Sequence, residues 1–271
     1  MTSISVWAGV DTRGVASVYV ASDSRISWRE LYRWDQGRKV FACNSKPHIF
    51  GYWGDTLFAT LALPVLADRI DRDLLARMDL EESDEIGEAI LLLWNDYPVD
   101  ERRNLGIIHS YRTGHGTDCV FHLTAMTYDK ASDSWDTRKI PMPSASAMLE
   151  VAGSGAKAVN RSLYLWQLSQ AAGTSRAIFS AFCESVTSQD DPYTGGAPQL
   201  AGLYRIGPGR LFGIAHNGNR YFAGTMLADS DGPGTVEWRN HLFERVDGST
   251  GERVPGAQRH EDRPRGSRRW P

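Results

Sequence analysis

The chain opens MTSIS, with a threonine in second place and an apolar, β-branched run directly after it. Once Met1 is removed, Thr2 carries a hydroxyl and a free α-amine on one residue, a nucleophile that brings its own base. An α-amine has a reference pKa of about 7.7 to 8.0, so it is partly neutral near pH 7 and able to take a proton. Attack on an amide carbonyl also needs a group to steady the charges and a donor for the tetrahedral oxyanion. Three stretches offer these. VASDSR places Asp23 where the apolar pattern calls for a hydrophobe, GRKVFAC places Lys39 at the mouth of a strand, and FGYWGD offers the N–H of Gly51, where a ligand can come close for want of a side chain. A carboxylate and an ammonium side by side would fix one another's charge and favour the neutral form of a nearby amine. Each residue also has a plainer role open to it: Asp23 as a turn cap, Lys39 as a solvated strand end, Gly51 as a bulge.

The elements that would position these groups are legible from periodicity. SISVWAGV and VASVYVAS around the turn DTRG read as a hairpin over residues 3–22, and RKVFACN and HIFGYWG around SKP as a second pair. From Asp55, a plausible N-cap, apolar residues recur at helical spacing in DTLFATLALPVLADRIDRDLLARM and DEIGEAILLLWNDY, with Pro64 expected to kink or divide the first helix. Strands return in NLGIIHSY, DCVFHLTAMTYD and SWDTRKIPM. A helix pair follows in AKAVNRSLYLWQLSQAA and SRAIFSAFCESVTS, then strands in AGLYRI and RLFGIAH, with RYFAGT and TVEWRNHLFERV extending the sheet. Blocks of strands alternating with pairs of helices predict an α+β fold, two antiparallel sheets covered on each outer face by helices. From Gly248 the text is rich in Gly, Pro and Arg and poor in aliphatics, so residues 1–247 read as one domain and 248–271 as a disordered tail.

With 30 basic and 33 acidic side chains and a net charge of -3, nothing favours a nucleic acid or an anionic membrane as partner. No apolar run approaches the roughly 20 residues of a membrane span, and no signal peptide is read, so a cytoplasmic location is expected. Cys43, Cys119 and Cys183 are odd in number and widely spaced, as reduced core thiols are. His109, His115 and His122 fit no metal-ligand spacing, and no nucleotide motif is present, so no cofactor is expected.

Taken in order, TSIS, VASDSR, GRKVFAC, GYWGD, VAGSGAKAV and DPYTGG resemble the signature stretches of proteasome-type beta subunits, the threonine-dependent N-terminal nucleophile hydrolases. The likeness is to the simple bacterial members, the HslV and Anbu types. It implies a four-layer αββα sandwich, and a threonine peptidase in which Thr2 attacks, its amine acts as base, Asp23 and Lys39 form the charged pair and Gly51 donates to the oxyanion. It further implies that Ser154, Asp191 and Thr194 complete the hydrogen-bond network around the amine, Thr194 standing where the family has a serine. Ile49 and Trp53 fall at positions that line the family's specificity pocket. The expected substrate is a peptide or unfolded protein, and the expected assembly is a homo-oligomeric ring or spiral, with an ATPase as possible partner. Maturation would then require only loss of Met1, and a retained Met1 would block the amine. A non-catalytic scaffold of the same fold, or a small-molecule amidohydrolase working alone, are the competing functions.

Overall fold

In the computed structural model, which describes residues 2–28, 32–75, 82–188 and 190–263, the chain begins directly with a hairpin of β1 (Ile4–Asp11) and β2 (Gly14–Ser22). Both strands are almost continuously apolar because both of their faces are covered. Ile4, Val6, Ala8, Val18 and Val20 turn to one side, while Trp7, Tyr19 and Ala21 turn to the other. A short hairpin, β3 (Ile26–Trp28) and β4 (Tyr32–Trp34), precedes β5 (Val40–Ala42) and β6 (His48–Gly54). Helices α1 (Leu57–Asp71) and α2 (Glu82–Asn95) follow, then β7 (Leu105–Thr113), β8 (Val120–Asp129), β9 (Ser134–Lys139) and β10 (Ala147–Ala152). After α3 (Ala156–Gln167) and α4 (Ser175–Ser188) come β11 (Gln199–Tyr204), β12 (Arg210–His216), β13 (Asn219–Phe222), β14 (Thr225–Met226), β15 (Trp238–Asn240) and β16 (Arg245–Val246).

Two sheets result. One runs β10-β1-β2-β11-β12-β13-β14, with β15 and β16 branching from β12, and the other runs β5-β6-β7-β8-β9. Three cores lie between four layers. Ile4, Val20, Ile49 and Ile108 meet between the sheets. Phe58, Leu63 and Trp94 of α1 and α2 pack on Phe50 and Tyr52, and Phe179 and Phe182 of α4 pack on Trp7 and Phe212. Each such fully buried side chain contributes about 1.5 to 3 kcal/mol. The molecule is a four-layer αββα sandwich of the α+β class. No helix among the described residues is long and apolar enough to cross a membrane.

Several expectations need correcting. One strand pair is not antiparallel: β15 lies parallel to β12. Helix α1 runs undivided through Pro64, and its N-cap is Thr56, although Asp55 Oδ2 still accepts the Phe58 N–H at 3.3 Å. Strand β10 and the hairpin β3–β4 were not read from the sequence. Of the segment expected to be a tail, residues 248–263 make contacts to the rest of the chain. Val246 bridges Arg253, the His260 N–H reaches Glu244 at 2.6 Å, and Arg263 Nε reaches Glu184 at 3.0 Å. The segment is poor in aliphatics and is held by backbone and charged hydrogen bonds instead, which a reading by composition does not weigh. Residues 264–271 of the expected tail lie outside the described residues.

At the end of β12, His216 is buried, and burial followed by the nearby His241 pushes its imidazole down to about 4. His109, wholly enclosed on β7, is pushed down in the same direction by burial. A histidine neutral in the fold but charged when unfolded gives the unfolded chain more protons in the window between the two pKa values. Its contribution is therefore complete above the ordinary value of 6.5 and is lost as pH falls from there through about 4. The thermal midpoint should drop between pH 7 and 4.5, at up to about 1.4 kcal/mol per pH unit for each such group. His216→Gln should flatten that decline, and identical slopes for variant and wild type would refute this account.

Candidate active site

Asp23 sits just past the end of β2 and is wholly buried, as is Lys39, just before β5. Lys39 Nζ donates to Asp23 Oδ1 at 2.8 Å. The same oxygen accepts the Ser3 N–H at 3.0 Å, and Oδ2 accepts the N–H groups of Arg25 and Gly195, each at 3.1 Å. Four donors thus converge on one carboxylate. Burial pushes the Lys39 ammonium below the ordinary lysine value, and the Asp23 charge opposes that shift. Because Ser3 shares the carboxylate oxygen with Lys39, the ion pair lies one residue from Thr2.

A second group meets the first on Ser3. Asp191 Oδ2 accepts from Ser154 Oγ and from Thr194 Oγ1, both at 2.7 Å, and Thr194 Oγ1 is also 2.7 Å from Ser3 Oγ. Asp191 and Thr194 follow α4, and Ser154 lies in the turn between β10 and α3, as the sequence suggested. The glycines of AGSGA have a steric reason to be there. A Cβ on Gly153, whose φ is +89°, would lie 1.9 Å from the Thr2 carbonyl oxygen, and one on Gly155 would lie 1.8 Å from Ser3 Oγ. Thr2 itself is fully enclosed, and the Gly155 N–H reaches its carbonyl at 3.4 Å. Arg25 ties the two groups together. It forms a bidentate pair with Asp35 at 2.7 and 2.8 Å and donates to the carbonyls of Pro192 and Thr194. Hydrogen bonding to Asp35 raises the Arg25 pKa and lowers that of Asp35.

The structure therefore brings together Asp23, Lys39, Ser154, Asp191 and Thr194 around the strand start at Thr2 and Ser3. Gly51 it sets beside Lys39, opposite Val40, with the N–H turned the other way. Antiparallel strands alternate hydrogen-bonded and non-hydrogen-bonded pairs. Cys43 N donates to His48 O and Arg112 N to Pro47 O, so along β6 the even residues bond toward β5 and the odd ones toward β7. The Gly51 N–H consequently points at Ile108, its partner on β7, and away from Lys39. Its glycine serves packing between the sheets, since a Cβ there would lie 2.7 Å from Val20 and 2.8 Å from Ile4. The same parity turns Ile49 and Trp53 to the side on which Gly51 meets Val20 and Ile4. Ile49 is buried between the sheets and Trp53 packs against that core, lying over Gly106.

A cleft that none of these site residues lines opens at the chain just before Lys39. It has a volume of about 1230 Å³ and is lined by Gly37 and Arg38 next to Lys39, by Ile26, Trp28 and Trp34 of the β3–β4 hairpin, and by Phe41, among others. Neither Ile49 nor Trp53 lines it. Sequence reasoning also missed Ser3, Arg25 and Gln199. The hydroxyl of TSIS next to Thr2 and a polar residue heading the apolar run QLAGLY were the available signals.

Sheets, helical layers and buried polar centre together define an αββα sandwich whose charged centre lies at the start of its first strand. No family model matches the chain, and no curated protein matches it. Among solved structures it is similar to the eukaryotic HslV from Trypanosoma brucei, at 12% identity and a TM-score of 0.45, over 74% of this chain and 99% of that one.

Proposed function

We propose that the chain is a threonine-type hydrolase of the proteasome kind that cleaves peptide bonds with Thr2 after removal of Met1. The observation that carries this reading is the Asp23–Lys39 pair, both members enclosed and bonded through Asp23 to the residue after Thr2. Enclosing two charges costs several kcal/mol per ion, and an apolar pair would hold the fold as well or better, so stability gives no reason for the pair to be there. In the proposed reaction Thr2 Oγ adds to the substrate carbonyl and its proton passes to the α-amine. The carbon–nitrogen bond then breaks, the leaving amine takes that proton, and water hydrolyses the resulting ester to restore Thr2. Lys39 biases the α-amine toward its neutral form, and Ser154, Asp191 and Thr194 set its position through Ser3. The aromatic-walled cleft receives substrate side chains, and the chain works as a homo-oligomer, a ring or spiral, with an ATPase as possible partner.

The test is the intact mass of the purified protein before and after incubation with a peptide epoxyketone, which captures a hydroxyl and a free amine on one residue. Loss of one methionine and gain of one inhibitor is the expected result. A retained methionine, or a clipped chain with no adduct, would turn the reading to a scaffold. A monomeric mass in solution with the adduct formed would turn it to a small-molecule amidohydrolase.

A further inference from the structure

Asp23 and Lys39 both lie outside the strands that lead to them, Asp23 after β2 and Lys39 before the three-residue β5. Ser3 O holds the Asp23 N–H at 3.2 Å, which leaves the Asp23 carbonyl and the Lys39 N–H to be met from elsewhere. One side chain reaches both. Gln199, the first residue of β11, is 1% exposed, and its Oε1 accepts the Lys39 N–H at 3.0 Å. Its Nε2 lies 3.0 Å from the Asp23 carbonyl, 2.7 Å from that of Gly37 and 3.2 Å from Ser24 Oγ. The partners settle the orientation of the amide, since Lys39 N can only donate and the two carbonyls can only accept. Register places Gln199 opposite Ser22, the last residue of β2, so β11 delivers the amide to the gap between Asp23 and Lys39. Gly224 closes the network from above: with φ at +87°, its Cβ would stand 2.9 Å from Nε2, too near for any other residue.

We infer that Gln199 is a positioning residue that sets the separation of Asp23 and Lys39 by holding the backbone of both. The inference rests on the reading of that pair as catalytic, and it assigns to β11 a part in the site that the signature stretches do not contain. A fully satisfied buried amide is rigid, and a displacement of about 1 Å at a catalytic group costs on the order of 100-fold in rate.

Gln199→Met keeps the volume and removes every one of these bonds. It should lower kcat about 100-fold with KM changed by less than about twofold, because Gly37 is the one cleft residue that Gln199 holds and it is held only through its carbonyl. A second readout does not depend on activity. The rate of Lys39 acetylation by acetic anhydride, followed by peptide mass spectrometry against the exposed Lys130, should rise at least about tenfold as the enclosed amine is let go. Gln199→Asn, one methylene too short to span both backbones, should show both effects if the Met variant does not fold. Wild-type kcat, or lowered kcat with Lys39 labelled at the wild-type rate, would overturn the inference. A wild type without hydrolytic activity would sink the proposed function alone, and the labelling would still decide whether Gln199 positions the pair.

Discussion

Thr2→Ala loses peptide hydrolysis, with kcat/KM down by at least about 10⁴-fold, while the protein melts close to the wild-type temperature. The reason for so clean a separation is that the contacts placing this residue are made by backbone. The Thr2 carbonyl meets the Gly155 N–H, and the next residue is held by Asp23 and Thr194 through its own N–H and hydroxyl. Alanine keeps all of these and removes Oγ together with the small Cγ2 methyl. Thr2→Ser retains a nucleophile and should keep measurable turnover, though with a less restricted rotamer. Turnover of a fluorogenic peptide and a thermal melt, run on the three proteins side by side, give the answer. Unchanged turnover in Thr2→Ala would remove Thr2 from the mechanism.

Lys39→Met is expected to lose both activity and stability, and the two losses have different causes. The stability loss arises because Asp23 remains enclosed without its counter-charge, which costs about 3 to 5 kcal/mol. In a domain of this size that is a fall of roughly 10 °C in Tm. Adding Asp23→Asn removes the stranded charge yet leaves an oxygen to accept from neighbouring N–H groups. The double variant should recover most of the lost Tm and none of the lost turnover. A double variant that regains turnover would show that the ion pair serves the fold alone, and a single variant with wild-type Tm would show that Asp23 is not enclosed in solution.

Much of the fold was legible because its strands and helices carry strong periods. SISVWAGV, VASVYVAS and the helices after Asp55 need no tertiary context to be recognised, and the alternation of strand blocks with helix pairs gives the layers. Strand β10 escaped because every one of its residues is only half-buried at the sheet edge, leaving no alternation to read. The contacts of the segment after Gly248 were not legible because they are made to specific partners, Glu184 and Glu244, that lie elsewhere in the chain.

At the site, the charged pair was legible as two charges in apolar stretches. The role given to Gly51 was not, because it turns on which way a single N–H faces. That is a matter of ladder phase, and one residue of slip reverses it. The surroundings of Ile49 and Trp53 turn on the same phase, since β6 sends alternate side chains to opposite cores. Gln199 could not be found by spacing at all: it meets Asp23 from 176 residues away.

That distance bears on how the protein is made. The carboxylate of Asp23 takes the Gly195 N–H, Ser3 Oγ meets Thr194, and Glu184 waits for Arg263. During synthesis the first hairpin leaves the ribosome long before any of these partners exists, and at about 5 to 20 residues per second the interval is many seconds. Throughout it, the charges of Asp23 and Lys39 are still in water and the start of the chain is unclamped. A nascent chain of this kind has its first residues exposed and the geometry around them unbuilt, so the hydrolase proposed above would stay inert beside other unfolded chains until its own last strands arrive.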